Sequence, residues 1–281
     1  MYSIFVDSGI NTEFKEFKEK KIINVNKSSV KDLTGHGTSC ISCYTRFSDN
    51  EKLGIIKIFN ENNYCDVNSF YNALKKCLYI DNINGICLSL RLDISDYYMK
   101  KKFTRVIEKI LQKKIKIVTP IPNDSDRDNF LLTIDGIYKT KFKYSNKLNI
   151  RRIGENTYVF EDAYRLYPTT DGEYKFFWGN SISSPAILAY LENKNSIFLK
   201  SKSKVSEFSS KELNEIYYKY FININKKKIY KNAFSFIKEI ENRFKLDLSY
   251  NEFTLEDFMT FQSIVKKLER LRRQNEFAKN K

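Results

Sequence analysis

The strongest constraint on the fold is an alternation that runs through the first part of the chain. Short apolar runs at residues 2–6, 54–59, 86–90 and 115–121 are separated by segments whose apolar residues recur at helical spacing. Over 66–79 these are Phe70, Leu74, Cys77 and Leu78, and over 102–114 they are Val106, Ile110 and Leu111. A short apolar run bounded by turn residues is the pattern of a strand buried on both faces, and a 3.6-residue period marks an amphipathic helix. Strand–helix–strand alternation needs crossover connections. It therefore predicts an α/β fold, a mostly parallel sheet flanked by helices.

Residues 129–178 break the pattern. Apolar and aromatic residues alternate there around Gly136 and Gly154, which predicts hairpins and loops. After Gly179-Asn180 a helix is expected over 181–191, with Pro185 in its first turn, where a missing N–H costs little. Beyond about residue 198 the texture becomes Lys-rich and helical. The division expected is a larger α/β domain over 1–198 and a helical C-terminal region over 199–281. In that region Thr254-x-x-Asp257 has the form of a capping box ahead of an apolar stripe formed by Leu255, Phe258, Phe261, Ile264, Val265, Leu268 and Leu271.

Composition narrows the setting. The net charge of +15 invites a nucleic-acid partner, but the basic residues are dispersed rather than gathered in one arm, which disfavours it. No stretch of about 18 apolar residues occurs, and the N-terminus MYSIFVDSGI lacks the features of an export signal. Five cysteines (Cys40, Cys43, Cys65, Cys77 and Cys87) are an odd number in apolar or helical contexts, which reads as free buried thiols in a reducing compartment. A soluble cytoplasmic protein with no membrane partner is the expectation. Cys40-x-x-Cys43 is one half of a zinc spacing with no second pair after it, so neither a metal nor a cofactor is expected.

The chain has one histidine, His36, set in Gly35-His36-Gly37-Thr38. Hydrolysis by a serine needs a hydroxyl nucleophile, an imidazole base, a carboxylate to orient it, and donors for the oxyanion. Any such arrangement here must use His36. Gly35-His36-Gly37-Thr38 resembles the histidine motif of the subtilisin family of serine peptidases. Phe5-Val6-Asp7-Ser8-Gly9 is similar to that family's aspartate motif, and Gly179-Asn180-Ser181-Ile182-Ser183-Ser184-Pro185 to its serine motif. The order Asp, His, Ser is the subtilisin order.

The resemblance covers roughly residues 1–195, and it implies a catalytic triad of Asp7, His36 and Ser181. It also implies that Asn123, after the strand 115–121, is the oxyanion-hole amide. Ser89, Leu90 and Arg91 fall where the family lays the substrate backbone, and Arg91 and Asp124 fall where it forms the primary specificity pocket. Three departures stand out: Pro122 and Arg91 replace glycines usual in the family, and Asn180 replaces a threonine. They imply narrow specificity. With Asp7 so near the start, no inhibitory propeptide is expected, which points to a cytoplasmic processing peptidase such as a leader peptidase for a precursor peptide. A peptide-binding pseudopeptidase is the rival reading.

Residues 234–271 faintly resemble the second half of acyl carrier proteins. Tyr230 falls near the family's attachment serine, so no phosphopantetheine is expected. What the likeness implies is a degenerate docking module with a protein partner.

Overall fold

A computed structural model describes the chain apart from residues 26–28, 63, 125–128, 171, 198, 200, 201, 280 and 281, and apart from the side chains of 275–279. The chain divides into two compact units. The first comprises Met1–Asp162, Pro168–Gly172 and Trp178–Phe198, and the second comprises Ala163–Tyr167, Glu173–Phe177 and Leu199–Lys281.

The first unit is built on an eight-stranded sheet. Its strands are β1 (Tyr2–Asp7), β2 (Lys21–Asn24), β3 (Lys52–Lys57), β4 (Ile83–Cys87), β5 (Lys116–Pro120), β6 (Tyr138–Tyr144), β7 (Asn149–Gly154) and β8 (Thr157–Asp162). The spatial order is β2-β3-β1-β4-β5-β6-β8-β7, and every pairing except β7 with β8 is parallel. Four helices accompany it: α1 (His36–Phe47), α2 (Val67–Cys77), α3 (Tyr97–Gln112) and α4 (Asn180–Glu192). The mostly parallel α/β architecture is the one the apolar runs predict.

Side chains alternate across β1, and this decides which face does chemistry. Ile4 and Val6 join Phe70, Leu74, Ile86, Phe103 and Ile107 in one apolar core, with α2 and α3 packed together over it. Each fully buried Ile, Leu or Phe there contributes about 1.5–3 kcal/mol. Ser3, Phe5 and Asp7 face the other way, toward α1 and α4, which also pack against each other. The Phe5 ring meets Tyr44 of α1 edge-on at 5.1 Å.

Several boundaries differ from the periodicity. Helix α3 starts at Tyr97 rather than at 102, because Asp96 caps it by accepting from Met99 N at 2.6 Å while its first turn exposes Tyr97 and Tyr98. An exposed turn leaves no apolar signal. Residues 129–178 hold a hairpin, β7–β8, but β6 and β8 continue the parallel sheet. The alternation in β6 arises because Thr140 is buried on one face while Lys141 and Lys143 stand exposed on the other.

The second unit contains α5 (Ser210–Phe221), α6 (Lys226–Phe244), α7 (Phe261–Lys279), β10 (Tyr174–Phe177) and most of its partner strand β9 (Arg165–Pro168). Its core is aromatic, with Tyr217, Phe221, Phe236, Phe253 and Phe258 buried and in ring contact. The capping box of Thr254 and Asp257 is present, yet it closes a 3-10 turn, Leu255–Phe258, and the long helix begins only at Phe261. Lys267 is buried in this unit, donating to the Glu252 carbonyl and facing Asp257, and burial pulls its pKa down to about 8.

Candidate active site

Asp7 ends β1 on the α1 side of the sheet and is almost fully buried. A carboxylate in that position needs partners. Its Oδ1 accepts from Ser8 N at 2.7 Å and lies 2.7 Å from His36 Nδ1. Ser8 Oγ in turn accepts from Gly37 N at 2.9 Å. The two motifs thus grip each other through the main chain as well as through the acid–imidazole pair.

His36 is the first residue of α1, and its position is over-determined. Gly35 has φ of 81°, and a Cβ there would come within 2.8 Å of Thr169 Cβ. At Gly37 a Cβ would come within 2.4 Å of the Gly9 carbonyl oxygen. Space demands both glycines, and at Gly35 the positive φ demands one as well. Asp32, which sequence reasoning passed over, closes the loop. Its Oδ1 accepts from Thr34 N (3.0 Å) and Gly35 N (2.9 Å), and its Oδ2 from Thr38 N (2.9 Å) and Thr38 Oγ1 (2.7 Å). Burial opposes the Asp32 charge, but these donors outweigh it and hold the pKa below the ordinary value. A carboxylate at a helix N-terminus also complements the helix dipole.

With Asp7 as acceptor, the His36 proton sits on Nδ1 and Nε2 is left to take a proton. Burial disfavours the imidazolium, yet the Asp7 charge and hydrogen bond overcome it and raise the pKa well above the ordinary imidazole value. The ring is 25% exposed, enough to meet a ligand.

Ser181 lies in the first turn of α4. Residue 185 is proline, so the Ser181 carbonyl lacks its usual helical donor, and the proline stands inside the helix rather than in the first turn. Two side chains take over: Ser89 Oγ donates to Ser181 O at 3.1 Å, and Cys40 Sγ at 3.8 Å. Cys40 is one helical turn beyond His36, with Sγ 4.0 Å from Nδ1. These contacts bring Ser181 into the Asp7–His36 cluster. Its Oγ makes no hydrogen bond among the described residues. In unliganded sites the nucleophile–base bond is often long and tightens with substrate.

The Asn123 side is equally ordered. Asn123 Oδ1 accepts from Asn180 N at 3.1 Å; a main-chain N–H can only donate, so this settles which way the amide faces and leaves Nδ2 for a ligand. Asn180 is fully engaged, its Oδ1 accepting from Phe142 N at 2.7 Å and its Nδ2 donating to Ile121 O at 2.8 Å. A cleft of about 250 Å³ opens here, lined by Ser89, Leu90, Arg91, Pro122, Asn123, Asp124 and Ser181 among others. All eight residues singled out in the sequence therefore belong to one unit, and six of them line one cleft. Sequence reasoning missed Asn129. Its amide donates to Leu90 O (3.4 Å) and Pro120 O (3.3 Å) and accepts from Leu92 N (3.1 Å), fastening the two cleft walls to each other.

Four of the five cysteines are buried and Cys65 is partly exposed, all as free thiols. Asp7, His36 and Cys40 bring ligand-type atoms within 4.8 Å of one another. Burial pushes the Cys40 thiol up, so it keeps its proton, and Nδ1 is already committed to Asp7. Holding a metal would require losing that proton and opening the acid–imidazole bond.

The α/β sheet thus carries an aspartate at the end of an interior strand, with a histidine and a serine at two helix N-termini. Comparison with solved structures makes this specific, because the chain has the subtilisin-like fold. A cold-adapted subtilisin-like serine proteinase matches with a TM-score of 0.52 at 13% identity, covering 70% of this chain and 77% of that one. The prenylagaramide maturation protease PagA matches with a TM-score of 0.54 at 12% identity, covering 70% and 78%. No protein-family model matches the sequence, and no curated protein matches it. Among the described residues, no helix is long and apolar enough to cross a membrane.

Proposed function

We propose that the chain is a serine endopeptidase in which Ser181 attacks the scissile carbonyl, His36 takes and returns the proton, and Asp7 holds the imidazole. The observation that carries this reading is the 2.7 Å Asp7–His36 contact, with Ser181 tied into the same cluster at a helix N-terminus. Asn123 Nδ2 and the first amides of α4 receive the oxyanion. The substrate strand runs along Ser89, Leu90 and Arg91, pairing through its main chain.

Arg91 and Asp124 in the cleft narrow the choice of residue at the cleaved position, which suits a cytoplasmic processing enzyme acting on a precursor peptide. PagA, a structural neighbour at 12% identity, is described as a maturation protease, which agrees with that role. The second unit, in this reading, is a docking module for a protein partner. The unbonded Ser181 Oγ favours one rival, a pseudopeptidase that binds peptides without cutting them. A defined library of extended peptides, read by mass spectrometry, separates the two. Cleavage after a narrow set of residues, lost in Ser181→Ala, supports the peptidase; saturable peptide binding without cleavage supports the rival.

A further inference from the structure

The three elements that carry Asp7, His36 and Ser181 also meet at their far ends, on a carboxylate that takes no part in the chemistry. Glu192 closes α4, eleven residues after Ser181, or about 16 Å along the helix at 1.5 Å per residue. Its Oε1 accepts from Ser3 Oγ at 2.8 Å and its Oε2 from Tyr44 OH at 2.5 Å. Ser3 stands on β1 four residues before Asp7, and Tyr44 on α1 eight residues after His36. Ser3 Oγ and Tyr44 OH also lie 2.7 Å apart, and Asn50 Nδ2 donates to both, at 2.9 and 3.3 Å.

We propose that Glu192 is a positioning residue that locks β1, α1 and α4 in register through Ser3 and Tyr44, and so holds Asp7, His36 and Ser181 at working distance. This rests on the triad reading above.

A chain could fasten two helices to a strand with apolar contacts alone, and around this point it largely does. Phe5, Leu188 and Ile41 are buried nearby, and Leu188 Cδ1 would lie 2.4 Å from a Cβ at Gly85. Apolar contacts tolerate sliding along a helix axis. Two hydrogen bonds converging on one half-buried carboxylate do not, because a slip leaves the buried Ser3 and Tyr44 hydroxyls unmatched. Specificity of register is what the acid adds. Charge is expensive in such a place: burial lifts the Glu192 pKa to about 7, against the bonds from Tyr44 and Ser3 and the positive charges of Lys116 on β5 and the Met1 amino group. Tyr44 keeps its proton, since burial and the Glu192 charge both push its pKa up. The tyrosine is therefore a donor near neutral pH, and the glutamate keeps an acceptor oxygen for it whether or not it carries a proton.

The test is the second-order rate at which a fluorophosphonate labels Ser181, which reads nucleophile activation without a substrate, with the melting temperature measured in parallel. Glu192→Ala should slow labelling about 10- to 100-fold, the size of effect that remote misplacement of a catalytic group produces. Glu192→Gln, which keeps the shape and one acceptor, should recover most of the rate, and Tyr44→Phe should fall between. Unchanged labelling in Glu192→Ala with a lowered melting temperature would overturn the proposal, because the carboxylate would then be structural only. If the alanine variant does not fold, Tyr44→Phe and Glu192→Gln decide: wild-type rates in both would overturn it. If the wild-type protein is not labelled at all, the peptidase reading fails instead. Amide hydrogen exchange over 35–40 and 179–184 in Tyr44→Phe then judges the clamp, faster exchange supporting it and unchanged exchange overturning it.

Discussion

The two ends of the same three elements are built differently. At one end, β1, α1 and α4 present an acid, an imidazole and a hydroxyl, of which the serine lines an open cleft; the imidazole is partly exposed, and the Ser181 hydroxyl makes no hydrogen bond among the described residues. At the other, Ser3, Tyr44, Asn50 and Glu192 satisfy one another among buried apolar side chains. A site that must meet a substrate keeps unsatisfied groups, and the scaffold supplies a closed network elsewhere to fix their geometry.

The comparison breaks most directly at the open end. Ser181→Ala and His36→Ala should each reduce peptide turnover to background, and to similar extents, because nucleophile and base act as a unit and their losses do not add. Kinetics of the double variant would show this: a loss well beyond either single variant contradicts the unit. Asn123→Ala should follow, lowering kcat by about 10²- to 10³-fold with KM little changed, since the amide acts on charge that develops only in the transition state. An unchanged kcat would move the donor elsewhere, and Asn180 is already occupied by Phe142 and Ile121.

Acid–base behaviour sharpens the same contrast. His36 must be neutral to accept a proton, and Asp7 raises its pKa well above the ordinary value. Activity should therefore rise with pH on the alkaline side of 7. The stability His36 contributes runs the other way: a raised folded-state pKa gives stabilisation that is full below the unfolded value of about 6.5 and lost as pH rises through the folded one. Activity and melting temperature measured over one pH series should move in opposite directions across that window, and parallel movement would refute the assignment.

A smaller effect is expected in the cleft wall. Arg91→Gly should leave kcat on a good substrate within a few-fold and widen the choice of residue at the cleaved position toward bulky apolar groups. If the wild-type protein already cut unstructured casein efficiently after Phe, Leu and Tyr, the narrow-specificity argument would fail.

Legibility in the sequence follows the same divide. The arrangement of the open end was readable because its polar residues sit in short contiguous motifs: Asp7-Ser8-Gly9, Gly35-His36-Gly37 and Gly179-Asn180-Ser181 each need their glycine for close approach or a turn. The closed end was not, because residues 3, 44, 50 and 192 share no spacing and are joined only by topology. A glutamate closing an almost wholly buried helix was the one available signal. Asp32 and Asn129 escaped for a related reason, since a turn-capping Asp or Asn looks the same whether it holds a surface loop or a catalytic one. In β6 the one-sided burial imitated a hairpin strand, and only the pairing register reveals that β6 and β8 run parallel.

The central claim is that Asp7, His36 and Ser181 form one working nucleophile. Its most direct test is peptide mapping of the wild-type protein after reaction with a fluorophosphonate, beside the His36→Ala variant. The account predicts a single adduct on the peptide bearing Ser181 in the wild type and none above background in the variant. An adduct on another serine, or equal labelling of Ser181 without His36, would contradict it.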